Sequence, residues 1–310
     1  MQLIRDIVDF ESYLVQRTAQ LIRPASDWVT EVKERLDGTG TVSGDLLPWS
    51  KTHQEVQLRP GEVSIWGGIN GHGKSLVLGQ VMLWLLPTRK VLIASMEMKP
   101  AATLERMLRQ ATSSHHPAKS FVDRFLSWTD DRLWIYDQQD SVAAEKILGM
   151  VSYAANELRM EHIVIDSLMK CGIAPDDYSG QKRFVDRLCW LAKSYNLHIH
   201  LVAHMRKGER EGQTPGKFDL KGASEISDLA DNVFVVHRNK DKEERLRKGQ
   251  EVPVGVPDAQ LVVAKQRHGE WEGVVGLWFD KASNQFIPYR DAGGMPWPNP
   301  EERCSVFAVD

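Results

Sequence analysis

Residues Gly61 to Leu78 read GEVSIWGGINGHGKSLVL, and no other stretch limits the fold as strongly. An apolar run, Val63 to Trp66, enters a glycine-rich turn made of Gly68, Ile69, Asn70, Gly71, His72, Gly73, Lys74 and Ser75. An apolar helical run follows. The pattern G-x-x-x-x-G-K-S between a strand and a helix is the context of a phosphate-binding loop. Glycines let the backbone curl so that successive N–H groups face an anion. The helix that starts there adds its positive N-terminal end. In such a loop Lys74 reaches the β- and γ-phosphates, and Ser75 holds Mg²⁺. The competing reading is a glycine-rich turn that binds nothing; the Lys-Ser offset and the flanking strand and helix weigh against it.

The rest of the chain alternates short apolar runs with longer helical ones. Strands are expected at Val91 to Ser95, Leu133 to Tyr136, His162 to Ile165, His198 to Ala203 and Val233 to Val236. Helices are expected at Ala101 to Ala111, Phe121 to Trp128, Val142 to Leu158 and Gln181 to Tyr195. This alternation marks an α/β fold with a mostly parallel sheet covered by helices on both faces. Late in the chain the helices stop. Gln260 to Ala264 and Val274 to Phe279 then read as a C-terminal β-hairpin across Arg267-His268-Gly269-Glu270.

The expected organisation is an N-terminal helix and linker over residues 1–45, one large α/β domain over 46–290 and a flexible tail over 291–310. In the first segment Leu3, Ile4, Ile7, Val8, Tyr13, Leu14 and Leu21 fall near one helical face. A second helix is expected from Trp28 to Leu36. The apolar stripe packs either on its own domain or on a neighbouring subunit. The segment Asn239 to Asp258 is charge-dense and reads as a solvated excursion.

Of the 310 residues, 42% are hydrophobic, enough for a sizeable core. The net charge of -3 means that no global basic field advertises nucleic acid, although local Lys and Arg can suffice. Cys171, Cys189 and Cys304 lie far apart and form neither a metal-ligand spacing nor a disulfide framework, so a reducing, cytoplasmic setting is the expectation. No apolar run approaches ~18 residues, and neither a membrane span nor a membrane partner is expected.

Three polar residues stand where apolar strands end, the place ligands occupy in an open parallel sheet. Asp166 ends HIVID and suits Mg²⁺ or its water shell. Glu97 follows VLIAS and suits a base that aligns a water against the γ-phosphate. His204 ends HIHLVA and suits a γ-phosphate contact, although a lone His there is more often structural. Lys265 and Arg267 alternate, so both cations project to one side of their strand and need an anion there. A solvated basic hairpin is the competing reading. The segments 167–180 and 205–222 are polar loops after strands. Their cations Lys170, Arg206, Lys207, Lys217 and Lys221 are candidates for phosphate contacts to a nucleic-acid strand, with Gly222 beside them. Aromatic residues are nearly absent there, so backbone tracking is expected rather than base stacking.

These stretches occur in a fixed order: GEVSIWGGINGHGKS, SMEM, HIVIDSL, LVAHMRK, DLKGASEISDLADNVFVVHRN and VVAKQRHGEWEGVVGLWFD. Together they resemble the motor domain of DnaB-type hexameric replicative helicases, and are similar to the helicase half of phage primase-helicases and of Twinkle. The resemblance covers about residues 46 to 285. It implies a RecA-like P-loop NTPase core, ATP and Mg²⁺ as ligands, and a homo-hexameric ring around single-stranded DNA. The resemblance also implies translocation 5′ to 3′. Carried over by position, Lys74 and Ser75 take the phosphate-loop roles, Glu97 is the catalytic base, Asp166 the Mg²⁺-linked acid and His204 the γ-phosphate sensor. Arg267 matches an arginine finger supplied to the adjacent subunit, with Lys265 its partner at the nucleotide. Residues 205–222 match the central DNA-binding loop. There are departures: no primase or zinc-binding module is read in the roughly 45 residues before the motor, and Lys221-Gly222-Ala223-Ser224 differs from the family's usual Arg-Gly/Glu-Ser-Gly. A primase or polymerase partner reached through the termini is expected. The alternatives are a RecA- or KaiC-like DNA-stimulated ATPase that does not unwind, or a loader module that uses ATP as a switch.

Overall fold

The computed structural model describes residues 9–10, 13, 24–36, 44–205 and 224–294. In chain order the elements are α1 (Val29–Leu36), β1 (Asp45–Leu46), β2 (Gln57–Leu58), β3 (Val63–Gly68), α2 (Lys74–Leu85), β4 (Val91–Ser95), α3 (Pro100–Thr112), α4 (Lys119–Trp128), β5 (Leu133–Ile135), α5 (Ala144–Asn156), β6 (His162–Asp166), α6 (Tyr178–Tyr195), β7 (His198–His204), α7 (Ser224–Leu229), β8 (Asn232–Arg238), α8 (Lys240–Arg247), β9 (Ala259–Gln266), β10 (Gly273–Asp280) and β11 (Gln285–Ile287). Among the described residues no helix is long and apolar enough to cross a membrane.

Nine strands form one sheet in the order β11-β10-β9-β8-β3-β7-β6-β4-β5. From β8 to β5 all pairings are parallel; β9, β10 and β11 extend the sheet antiparallel. The expected mixed α/β architecture and the late hairpin are both present. The third antiparallel strand, β11, was not anticipated. It is three residues long, and a run that short carries no usable period.

Strand alternation divides the core into two layers. Val63, Ile65, Leu92, Ala94, Ile163, Ile165, Ile199 and Leu201 face one side, where α5 and α6 cover them. Trp66, Val91, Ile93, Val164, Val202 and Phe234 face the other, where α2, α3 and α4 lie. The sequence of α2, KSLVLGQVMLWL, is apolar on nearly every side. That suits a helix buried between the sheet, where it meets β3 and β11, and α3. Of the N-terminal segment, Phe10 is buried against Tyr136 and Tyr153, and Tyr13 meets Tyr153 edge-on. A Cβ at Gly149 of α5 would stand 2.3 Å from Phe10 O, so glycine is what allows this close approach. The charge-dense excursion contains α8, which buries nothing, as its composition suggests.

A buried polar chain interrupts the second apolar layer. Trp66 Nε1 donates to His200 Nδ1 at 3.1 Å. Indole is only a donor, so His200 carries its proton on Nε2 and passes a hydrogen bond to His162 Nδ1 at 3.1 Å. His162 Nε2 in turn reaches Asp45 Oδ2 at 2.9 Å, and Arg89 Nε grips the same carboxylate at 2.9 Å. Beside it, His198 bridges Ser64 Oγ at 2.8 Å and Arg59 O at 2.6 Å. Burial pushes His198 down to about 3 and His200 well below the usual imidazole value; neighbouring histidines add to both shifts. Burial alone would raise Asp45, but hydrogen bonds from His162 and Arg89 outweigh it and hold the carboxyl below its ordinary range.

Stability should therefore fall in acid. Unfolded, His198 and His200 take up protons below about pH 6.5, while folded they stay neutral, so their contribution is complete above that pH and shrinks beneath it. At about pH 5 each deeply shifted histidine should cost about 2 kcal/mol. Asp45 acts in the same sense, from about pH 4 downward. Urea unfolding at about pH 7.5 and about pH 5 measures this; equal midpoints would mean that the rings are already charged in the native state.

Candidate functional site

The loop between β3 and α2 wraps above the carboxyl end of the central strand. Gly68, Gly71 and Gly73 have φ of 157°, 79° and 90°, and the last two lie in the left-handed region where a side chain is disfavoured. A Cβ at Gly68 would lie 2.6 Å from Val236 O, so this position needs glycine for space. Lys74 is buried, and its Nζ donates to Gly68 O at 2.9 Å and Ile69 O at 3.2 Å. The ammonium is thereby folded back over its own loop. Asn70, Gly71, Gly73, Lys74 and Ser75 all line a cleft of about 570 Å³. That volume falls within the range of small-ligand pockets.

The three strands in succession from β3, namely β7, β6 and β4, deliver the other groups. Asp166 at the end of β6 accepts from Ser75 Oγ at 2.6 Å. Burial raises the Asp166 carboxyl, partly offset by that hydrogen bond. Glu97, two residues beyond β4, accepts from Ser167 Oγ at 2.7 Å and lies 3.2 Å from His204 Nε2. Ser167 Oγ and His204 Nε2 are 3.3 Å apart, which closes a triangle. The hydrogen bond from His204 is the main reason the Glu97 carboxyl is pushed down to about 2; burial opposes it and Ser167 adds to it. His204 is itself buried, and its Nδ1 has no partner among the described residues. Glu97, Asp166 and His204 all line the same cleft as Lys74.

The remaining candidates lie elsewhere. The His72 side chain turns away from the cleft and is buried; its Nδ1 accepts from Arg238 N at 3.1 Å and its ring lies 5.3 Å from that of His237. Burial first, then the neighbouring His237 and cations, pushes His72 down to about 4. This residue anchors the loop to the end of β8 rather than presenting a side chain to a ligand. Lys265 and Arg267 do not line the cleft of their own chain. Both reach the C-terminal end of α7, as expected of two cations on one side. Lys265 Nζ donates to Ser227 O, Asp228 O and Ala230 O, each at 2.8 Å. Arg267 donates to Asp228 O at 2.9 Å and Leu229 O at 3.0 Å, and pairs with Asp231 at 3.3 Å. Orphan helix carbonyls and a buried carboxylate are the anion-like partners these cations find within the chain. Arg206, Lys207, Lys217, Lys221 and Gly222 lie outside the described residues.

Sequence reasoning missed Ser167, Arg106, Arg109, Arg238 and Asn284. The last four also line the cleft. Arg106 and Arg109 share one face of α3 at i, i+3 spacing, a signal that only their position just after Glu97 could have raised. Ser167, Arg238 and Asn284 carry no local signature; sheet order alone brings them there.

The profile of the DnaB-like helicase C-terminal domain matches residues 55–288. The chain belongs to that family. Its match begins just before β2 and runs through β11, so it takes in every cleft residue named above. Among curated relatives, the DNA helicase/primase of Enterobacteria phage T3 is 24% identical over 205 residues, covering 59% of this chain and 36% of that protein. The chloroplastic/mitochondrial Twinkle homolog protein of Arabidopsis thaliana is 22% identical over 296 residues, covering 87% of this chain and 40% of that protein. The chain thus spans well under half the length of these relatives. The solved "ATPase Domain of G40P" superposes with a TM-score of 0.72 at 14% identity, covering 87% of this chain and all of that one. A DnaB-like replicative helicase, solved in a study of its interactions with primase, gives 0.70 at 15% identity, covering 86% of this chain and 68% of that one. At such identities these two structures establish that the fold is that of DnaB-like helicase ATPase domains.

Proposed function

We propose that this chain is the ATP-driven motor of a replicative DNA helicase. It works as a hexameric ring of identical subunits that moves 5′ to 3′ along one DNA strand and displaces the other. The observation that carries the reading is the convergence of Lys74, Ser75, Asp166, Glu97 and His204 on one cleft, at the ends of adjacent parallel strands.

The residues present fit a nucleoside triphosphate with Mg²⁺. Glycines in the left-handed region make room for phosphate oxygens against backbone N–H groups, and Gly68 has no space for a side chain. The Ser75 hydroxyl and the Asp166 carboxylate are the hard oxygen pair that such an ion takes alongside phosphate and water. Bound there, Mg²⁺ would neutralise charge on the phosphate oxygens. Lys74 supplies a positive charge to the terminal phosphates once its loop carbonyls are exchanged for them.

Glu97 is ionised across the whole neutral range. A carboxylate with so low a proton affinity abstracts a proton poorly, but it orients a water by accepting its hydrogen bond. His204 sets that affinity, because its hydrogen bond stabilises the charged form of Glu97. A terminal phosphate that draws His204 away would make Glu97 more basic, and its loss would restore the pair. Arg267, outside the cleft of its own chain, serves the cleft of the next subunit as the cation for transition-state charge. Residues 205–222 carry the response to the DNA backbone through Arg206, Lys207, Lys217, Lys221 and Gly222. A primase is the expected partner, because one relative is a helicase/primase and one fold neighbour was solved with primase in view.

The test is unwinding of a forked duplex with labelled strands, run beside native mass measurement with ATP and a single-stranded oligonucleotide. Strand separation by a closed ring of six is expected. DNA-stimulated hydrolysis without strand separation would instead leave a RecA- or KaiC-like ATPase, or a loader.

A further inference from the structure

Three buried amides hold the turn between β10 and β11 against the cleft. Gln80 Nε2 donates to Phe286 O at 2.9 Å, and Phe286 N donates back to Gln80 Oε1 at 2.8 Å. Gln110 Nε2 donates to both Leu76 O at 3.1 Å and Asn284 O at 3.0 Å. Gln285 Nε2 donates to Gln110 O at 2.6 Å. Gln80, Gln110 and Gln285 are all buried, where a broken hydrogen bond is costly. The turn is therefore a fixed wall, and one amide ties Asn284 directly to the first turn of α2.

Asn284 has φ of 54°, a left-handed conformation that asparagine tolerates. It lines the cleft, and its side-chain amide makes no hydrogen bond among the described residues. An amide has two donors and an acceptor to satisfy.

Direction along the cleft follows from the loop. Lys74 serves the terminal phosphates, together with Glu97 and His204. Backbone N–H groups of the loop and first helical turn cradle the inner phosphates. Leu76 belongs to that turn, and Gln110 joins it to Asn284, so Asn284 is tied to the inner-phosphate end of the loop.

We propose that the Asn284 side-chain amide pairs with the base of the bound nucleotide and makes the cleft prefer adenine to guanine. The inference rests on the nucleotide reading of the cleft. Adenine presents an N6 donor beside the N7 acceptor, which complements the oxygen and nitrogen of one amide. Guanine presents O6 and N7, two acceptors, so the amide oxygen would face O6 and remain unpaired.

Asn284→Gly removes the amide and keeps the backbone at ease with positive φ. Asn284→Ser shortens the side chain, so that its single hydroxyl cannot make the paired contact, and adds no charge. Affinities for ATP, GTP and inorganic tripolyphosphate are measured by displacement of a fluorescent nucleotide. The unmodified chain should favour ATP over GTP by roughly tenfold, given the worth of a paired against an unpaired amide. Both variants should bind ATP roughly fivefold to tenfold more weakly, bring the ATP-to-GTP ratio towards one, and hold tripolyphosphate as before. An unchanged ratio in the variants, or equal losses for ATP and tripolyphosphate, would overturn the assignment of Asn284. If the unmodified chain binds neither ATP nor tripolyphosphate, the nucleotide reading itself fails. If it binds both and the variants match it, Asn284 alone is wrong.

Discussion

Lys74→Ala should lower ATP turnover by at least about 10²–10³-fold, the loss typical of a charge-stabilising donor removed from a reaction centre. The substitution takes the only cation of the phosphate loop itself, and no other loop side chain offers a positive charge in its place. Its effect on folding should be modest. The two carbonyls it releases keep other donors: Gly68 O still receives Met205 N at 3.2 Å, and Ile69 O still receives His72 N at 3.2 Å. With no carbonyl orphaned, the loss should stay within about 1–2 kcal/mol. Steady-state hydrolysis at saturating ATP, beside a urea unfolding curve, separates the two effects. Turnover within tenfold of the unmodified protein would remove Lys74 from the chemistry.

On the proposed in-trans role, Arg267→Ala should lower hydrolysis ~10³-fold or more and leave nucleotide affinity nearly unchanged, since such a cation acts on charge that develops in the transition state. The geometry makes an unusual test available. Within one chain Arg267 sits at the end of α7 beside Asp231, away from the cleft that Lys74 lines. If the cation serves a neighbour, a ring mixed from Lys74→Ala and Arg267→Ala subunits contains some interfaces with both groups intact. Two preparations that are each inactive should then regain a measurable share of turnover on mixing. No recovery in verified mixed rings would sink the in-trans role. Asp231 is a stability concern, since its side chain is buried and pairs with Arg267. It also accepts Val63 N at 2.9 Å, so one partner survives the substitution. Arg267→Lys keeps a cation near Asp231 but loses the planar fork, and should remain well below full activity.

Much of the cleft was legible in the linear sequence because its parts are locally encoded. Lys74 and Ser75 are read from glycine spacing, and Asp166 and His204 from strands that end in one polar residue. Glu97 is read from the short run that precedes it. Each needs only a handful of neighbours to be seen. His72 shows where local reading stops. The loop pattern includes it, yet its ring packs on His237, more than a hundred residues away. Lys265 and Arg267 show the same limit. Alternation correctly put them on one side of a strand, but the partners they meet lie at the end of α7 and just after it, in a stretch with no clear period.

The sequence by itself determined a phosphate loop on a parallel α/β sheet, with an acid or imidazole at the tips of the strands around it. Those features depend on side-chain period and backbone freedom, which act between near neighbours. Tertiary structure alone decided that Ser167 joins Glu97 to His204, and that a histidine chain crosses the core from Trp66 to Asp45. It also decided that β11 is gripped by Gln80 and brings Asn284 to the mouth of the cleft. In each case the partners are far apart along the chain, and a hydrogen bond between them leaves no trace until strand order and register bring them within three ångströms or so.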